Sequence, residues 1–155
     1  MATLDSIDRR LLAELQDEGR VTNVDLARRV GLTAPPCLRR VRALEDAGVI
    51  KGYHADLDGA KLGYAITVFA LVSLRSQAEI SLREFEEAMK ALPEVRECHM
   101  LNGEIDFILK IVSKDLQSFQ EFLTSKLTPA PNVASVKTSL TIRTAKQLPG
   151  VPLDD

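Results

Sequence analysis

The chain has 155 residues, 45% of them apolar, and 20 lysines and arginines against 22 aspartates and glutamates leave a formal charge of -2. That length holds one large domain or two small ones and excludes a large multidomain enzyme, while the apolar share excludes a natively disordered chain. The longest apolar stretch, Tyr64 to Leu74, is broken by Thr67 and Ser73 and falls short of the roughly 20 residues a membrane span needs.

The opening MATLDSIDRR has no apolar run behind a basic region, so no secretory signal and a cytoplasmic protein are expected. Cys37 and Cys98 stand far apart without a CxxC, which points to neither a disulfide framework nor a zinc motif. Neither a metal nor a cofactor is expected.

Up to about residue 58 the apolar residues follow a helical period in short capped segments. Asp5 is placed to cap a first helix carrying Ile7, Leu11 and Leu15, with Gly19 at its end. Thr22 and Asp25 have capping spacing for a second, with Leu26, Ala27 and Val30 inward and Gly31 as a left-handed stop. Thr33 caps a third, where Pro35 and Pro36 fall in the first turn and cost little. This helix runs to about Ala47 with Cys37, Val41 and Leu44 inward and Arg39 and Arg42 on another side. Val49 to Leu57 reads as an extended hairpin or wing bending at Gly52.

Beyond residue 63 the pattern changes to strand, helix, strand, twice. Tyr64 to Arg75 is a strand apolar on both faces, followed by a helix on Leu82, Phe85, Met89 and Leu92 that Pro93 ends. Val95 to Asn102 and Ile105 to Val112 pair across Asn102-Gly103, a hairpin signal. A second helix on Leu116, Phe119 and Leu123 stops at Pro129-Ala130-Pro131, before a strand from Val133 to Thr144. This βαββαβ order is the ferredoxin-like unit, and the fold class is α+β. The tail, QLPGVPLDD, should be extended and loosely held. Ferredoxin-like units cover one sheet face with helices, so the apolar second face of Tyr64 to Arg75 calls for a partner, at least a homodimer.

Six arginines (20, 28, 29, 39, 40 and 42) against the single acid Asp25 give the stretch from Arg20 to Arg42 a local charge of +5. Such a patch on a three-helix unit suits double-stranded DNA, because guanidinium groups pair bidentately with phosphate or guanine. It also suits, as the lesser alternative, a solvated basic face on a protein-interaction module. Glu104 and Asp106 share one face beside Gly103; paired carboxylates of this kind can be hairpin solvation, a ligand ammonium site or an acid/base pair. Cys98 and His99 point to opposite strand faces and do not share a metal. Cys37 beside Arg39 and Arg40 is either a thiolate switch or a buried inert thiol.

The stretches LDSIDRRLLAELQDEGRVTNVDLARRVGLT, CLRRVRALEDAGVIKGYHADLD and LPEVRECHMLNGEIDFILKI closely resemble the leucine-responsive/asparagine-responsive (Lrp/AsnC, feast/famine) family of transcriptional regulators. The likeness spans nearly the whole chain, with departures at Thr33-Ala34-Pro35, at Glu104-Ile105 and along Ser139-Leu140-Thr141. It implies a winged helix-turn-helix over residues 1–58, a linker over 59–63, and an amino-acid-binding, oligomerising domain over 64–155. On that resemblance DNA is contacted by Arg28, Arg29, Thr33, Ala34, Pro35, Arg39, Arg40 and Arg42, the first two on phosphate. An amino-acid effector is bound around Met100, Asn102, Gly103, Glu104, Asp106 and Thr141. Family members form dimers, often four to a ring, so an octamer is the expected assembly. Two rival functions are an amino-acid sensor acting through protein contacts and a siroheme-decarboxylase-like enzyme. The latter architecture depends on pocket histidines, and only His54 and His99 are available.

Overall fold

The computed structural model describes residues 4–153, which fall into two compact units. One is formed by the chain up to Asp56 together with the segment from Lys146 onward, the other by Leu57–Ala145.

In the first unit, α1 (Ser6–Asp17) starts at a reciprocal cap. The Asp5 carboxylate accepts from the Asp8 amide at 2.8 Å while the Asp8 carboxylate accepts from the Asp5 amide at 3.2 Å. The helix ends at Glu18, not at Gly19, which does not adopt a left-handed backbone. The second helix, α2 (Asn23–Val30), is capped by Thr22, whose hydroxyl accepts from the Asp25 amide, and stopped by Gly31 at φ 76°. The third, α3 (Ala34–Asp46), follows Thr33, whose backbone is extended but whose side chain makes no capping bond. Leu11, Leu26, Ala27, Val30, Cys37 and Val41 form one core, ringed by Ile7, Leu15, Val21, Leu32 and Ile50.

The expected hairpin at Val49 to Leu57 does not form: residues 51–58 belong to no strand. The amides of Val49 and Ile50, which a first wing strand would need, both donate to the Leu44 carbonyl and finish α3 instead. Tyr53 anchors the segment by donating to the Glu45 carboxylate at 2.9 Å. One described residue of the tail is fixed, whereas its last two lie outside the described residues. Val151 is gripped at both backbone groups by the Gln16 amide, at 2.9 and 3.0 Å. Gly150, at φ 67°, lies so close to Gln16 that a Cβ there would collide with it.

The second unit is an antiparallel sheet of β1 (Ile66–Leu74), β2 (Val95–Met100), β3 (Phe107–Ser113) and β4 (Val133–Leu140) in the order β2-β3-β1-β4. With α4 (Glu79–Lys90) and α5 (Leu116–Phe122) in the connections, this is the ferredoxin-like βαββαβ arrangement. Register pairs Val68 with Ile111, Ala70 with Leu109 and Val72 with Phe107, and all six are buried in the core that receives Phe85, Met89, Phe119, Phe122 and Leu127 from the helical segments. Phe85 and Phe107 meet with ring centroids 4.8 Å apart.

Three details depart from the periodicity. The second face of β1 is not covered: Phe69 is exposed and Leu71 half-buried, opposite the half-buried Lys110 and Ile108 of β3. The hairpin is longer than a two-residue turn, since Leu101 donates to the Asp106 carbonyl and leaves residues 102–105 as the loop. Helix α5 widens into a π turn, Leu123–Leu127, which carries Leu127 into the core while Leu116 stays exposed.

Phe85→Ala is expected to remove about 3 to 5 kcal/mol from the sheet unit by opening a cavity beneath Phe107. Urea unfolding followed by circular dichroism reads that loss as a lower midpoint at unchanged slope.

Candidate nucleic-acid interface and effector cleft

Helices α2 and α3 are joined by a tight turn. The amides of Gly31 and Leu32 return to the carbonyls of Arg28 and Ala27, and the Asn23 amide side chain donates to the Ala34 carbonyl at 2.8 Å. The first turn of α3 is thereby pinned to the first turn of α2, and the outer face of α3 carries Pro35, Leu38, Arg39 and Arg42, all exposed. Those positions follow i, i+3, i+4, i+7, a single stripe. Cys37 lies on the opposite side, fully buried, and burial pushes its thiol upward, so the thiolate-switch reading is set aside.

The six arginines are not equivalent. Arg29 is bound by Glu14 at 3.0 Å and Glu18 at 2.6 Å, both on the first helical segment. Arg40 is bound by Asp5 and Asp8, each at 2.7 Å, which ties α3 to the cap of α1. The Asp8 amide and then Arg40 hold the Asp5 carboxyl below its usual range, and the carboxylates hold both guanidiniums above theirs. Arg40 and Arg29, expected on DNA, are each held by two acids from outside the arginine-rich stretch and so join helices to one another. Arg28 pairs with Asp25 at 3.1 Å in an exposed contact that competes weakly with other partners. Among the described residues Arg39 and Arg42 form no ion pair.

In the second unit a cleft of about 220 Å³ opens beside the β2–β3 loop, lined by Gln77, Leu82, Met100, Leu101, Asn102, Gly103 and Asp106. Four expected residues, Met100, Asn102, Gly103 and Asp106, thus come together. Glu104 is exposed and lies outside the lining. Thr141 is at the other end of the sheet, its amide on the Thr67 carbonyl, whereas Asp106 sits at Val72 and Leu74. At ~3.3 Å per residue those ends of β1 are about 20 Å apart, so one copy of the chain does not bring Thr141 to the cleft.

Asp106 also differs from the free ammonium acceptor expected of it. It is 9% exposed, and its two oxygens accept from the Leu74 amide at 2.7 Å and from Gln77 Nε2 at 2.9 Å. It clamps the end of β1 and aims Gln77 into the cleft. Gln77 and Leu82 escaped the sequence reading because nothing local marks a glutamine after a strand; the need of a buried carboxylate for donors was the one available signal. The pair Glu97 and His99 lies instead on the uncovered sheet face, where Glu97 joins Lys110 at 2.9 Å. Lys110 and, behind it, His99 hold the Glu97 carboxyl below the usual range. No group of three or more metal-ligating side chains occurs among the described residues, and no helix there is long and apolar enough to cross a membrane.

Residues 4–51 match the winged helix-turn-helix DNA-binding family and residues 67–151 the Lrp/AsnC ligand binding domain. The chain is 52% identical over 143 residues to the leucine-responsive regulatory protein of Rhizobium meliloti, covering 92% of each. It is 42% identical to the Bkd operon transcriptional regulator of Pseudomonas aeruginosa over 99% of this chain and 100% of that one. Among solved structures, a transcriptional regulator from Neisseria meningitidis in complex with L-Met superposes with a TM-score of 0.93 at 35% identity over 98% of both chains. With a helix-turn-helix followed by a βαββαβ unit, matched in order by the two domain families, the chain belongs to the Lrp/AsnC family of transcriptional regulators.

Proposed function

We propose that this regulator reads operator DNA with α3 and that an α-amino acid bound at the β2–β3 loop modulates that binding. The observation that carries the first half is the exposed pairing of Arg39 and Arg42 on the outer stripe of α3, free of the ion pairs that hold Arg29 and Arg40. Guanidinium groups so placed can reach a guanine edge or a phosphate, and the nearby exposed Thr33 hydroxyl, uninvolved in capping, is available to a phosphate. Pro35 and Ala34 at the N-terminal turn approach the groove wall, and Arg28, loosely held by Asp25, takes the flanking backbone.

The amino-acid reading rests on the chemistry around Gly103. Asn102 and Gln77 offer amide groups to an α-carboxylate, the acceptor capacity left on Asp106 suits an ammonium, and Leu82, Met100 and Leu101 suit an apolar side chain. The leucine-responsive name of one relative and the L-Met bound to another agree with an apolar effector.

The uncovered sheet face, with Phe69, Leu71 and Ile108, supports pairing of two copies. Thr141 can line the cleft only if another copy of the chain supplies it.

Arg39→Ala or Arg42→Ala is expected to weaken operator binding by roughly 1 to 3 kcal/mol and to relax sequence preference, whereas losing Arg28 should mainly lower the salt slope by about one. Gel shifts against genomic fragments retained by the parent, over a range of salt, make the comparison; parental binding by both variants sinks the assignment of α3. For the effector, calorimetry with L-leucine and L-methionine should show binding that Gly103→Val abolishes. A Cβ at Gly103 meets nothing within 4 Å, so the variant adds bulk at a lining position of the cleft without a clash. Asp106→Ala is a poorer test: the orphaned Leu74 amide would cost roughly 1 to 3 kcal/mol in stability by itself. Light scattering at micromolar concentration should report an even assembly, and a monomer would refute the pairing.

A further inference from the structure

We infer that Leu38 is a specificity-determining residue of the DNA site and that it reads the 5-methyl group of a thymine in the major groove. The inference rests on the proposed placement of α3 on DNA and adds a base identity to it.

Leu38 is a large apolar side chain left 37% exposed on the outer stripe of α3, between Pro35 and Arg39 and one turn before Arg42. The buried core of the first unit does not include it: Cys37 and Val41 point inward from the same helix, while Leu38 keeps over a third of its surface open to water. The open part of the side chain is apolar surface that the fold leaves available to a partner. Its neighbours on the stripe supply what a groove-reading surface needs. Arg39 and Arg42 are cations free of internal acids among the described residues, and the exposed Pro35 adds a rigid apolar surface one turn earlier.

Base-pair edges in the major groove offer hydrogen-bonding groups and a single apolar one, the thymine methyl. A leucine cannot satisfy the polar edges; against the methyl it gains contact and removes water from both. Leu38 lies in the N-terminal half of α3, the part of a reading helix that meets base edges. Leu38 and Arg42 are one turn apart, about 6 Å along the helix axis, and base pairs rise ~3.4 Å each. The thymine read by Leu38 therefore falls within about two base pairs of the position met by Arg42.

The test uses the full chain and a random duplex library selected by retention on the protein, first for the parent and then for Leu38→Ala. The parent should enrich a thymine at a fixed distance from its guanine positions, and Leu38→Ala should lose that thymine while keeping the guanines. On the parent's best duplex, replacing that thymine by uracil, which lacks only the methyl, should weaken the parent about fourfold, the worth of one buried methyl group, and leave Leu38→Ala unchanged. Leu38→Met, which keeps a flexible apolar contact, should retain most of the discrimination. If the library gives a specific site but uracil is neutral at each thymine, or costs the variant as much as the parent, Leu38 reads no methyl although α3 still reads DNA. If the parent retains no duplex above the non-specific level, the reading of α3 falls and this inference with it.

Discussion

Asp106 organises the sheet unit, because a carboxylate that is 9% exposed must find donors or forfeit the stability of the chain around it. It finds them in two places that are distant in sequence: the amide of Leu74, at the last residue of β1, and the side chain of Gln77, on the way to α4. Its own amide returns to the Val72 carbonyl and its carbonyl receives the Leu101 amide. One residue thus fastens the end of a central strand, the approach to a helix and the mouth of a hairpin. The cleft beside it has Asp106 and Gln77, held together by that bond, in its lining.

The first unit depends on a different economy of charge. Arg40 reaches from α3 to the acids that cap α1, and Arg29 reaches from α2 to Glu14 and Glu18, so both guanidiniums join helices to one another. These exposed pairs contribute little each, but two acids on one guanidinium make a small network whose geometry sets the pose of α3. The sign of its pH dependence follows from Asp5, whose folded proton affinity is depressed: the clamp is intact above the ordinary carboxylate range and is lost as pH falls through the lowered value. Near neutrality α3 is held, and its outer arginines carry the charge left for another molecule.

What could be read from the residues was whatever is decided locally. Thr22 and Gly31 bound α2, and Asp5 starts α1, because a cap bonds atoms three or four positions away. Alternation and the two Pro breaks likewise located the four strands of the sheet. What escaped depends on partners far along the chain. Arg40 looks like any exposed arginine until Asp5, 35 positions earlier, is brought against it. Val151 meets Gln16 across 135 positions, so a Pro- and Gly-containing tail that reads as loose is held at that residue. The hairpin from Val49 is absent for the opposite reason, a local competitor: the C-terminal carbonyl of Leu44 takes both amides that a strand there would have offered. At the hairpin, Asn102-Gly103 correctly marked a turn, but the demand of Asp106 for interior donors lengthened it.

The placement of Thr141 constrains how an effector can act on the proposed reading. A ligand shifts an equilibrium only by the difference in its affinity for the two states. In a single chain the cleft is open on one side, and Thr141 lies at the far end of β1. If a neighbouring copy completes the cleft, part of the ligand's preference for one state over another comes from surfaces that copy adds, and the uncovered face carrying Phe69 and Leu71 is apolar surface the chain has to give a neighbour. Coupling of this origin is tied to assembly. It vanishes on dilution to single chains, whereas coupling carried inside one chain would survive. Couplings between sites are typically about 1 to 3 kcal/mol, which changes an occupancy by roughly five- to 150-fold, so a few contacts added by a second copy are enough to account for a switch.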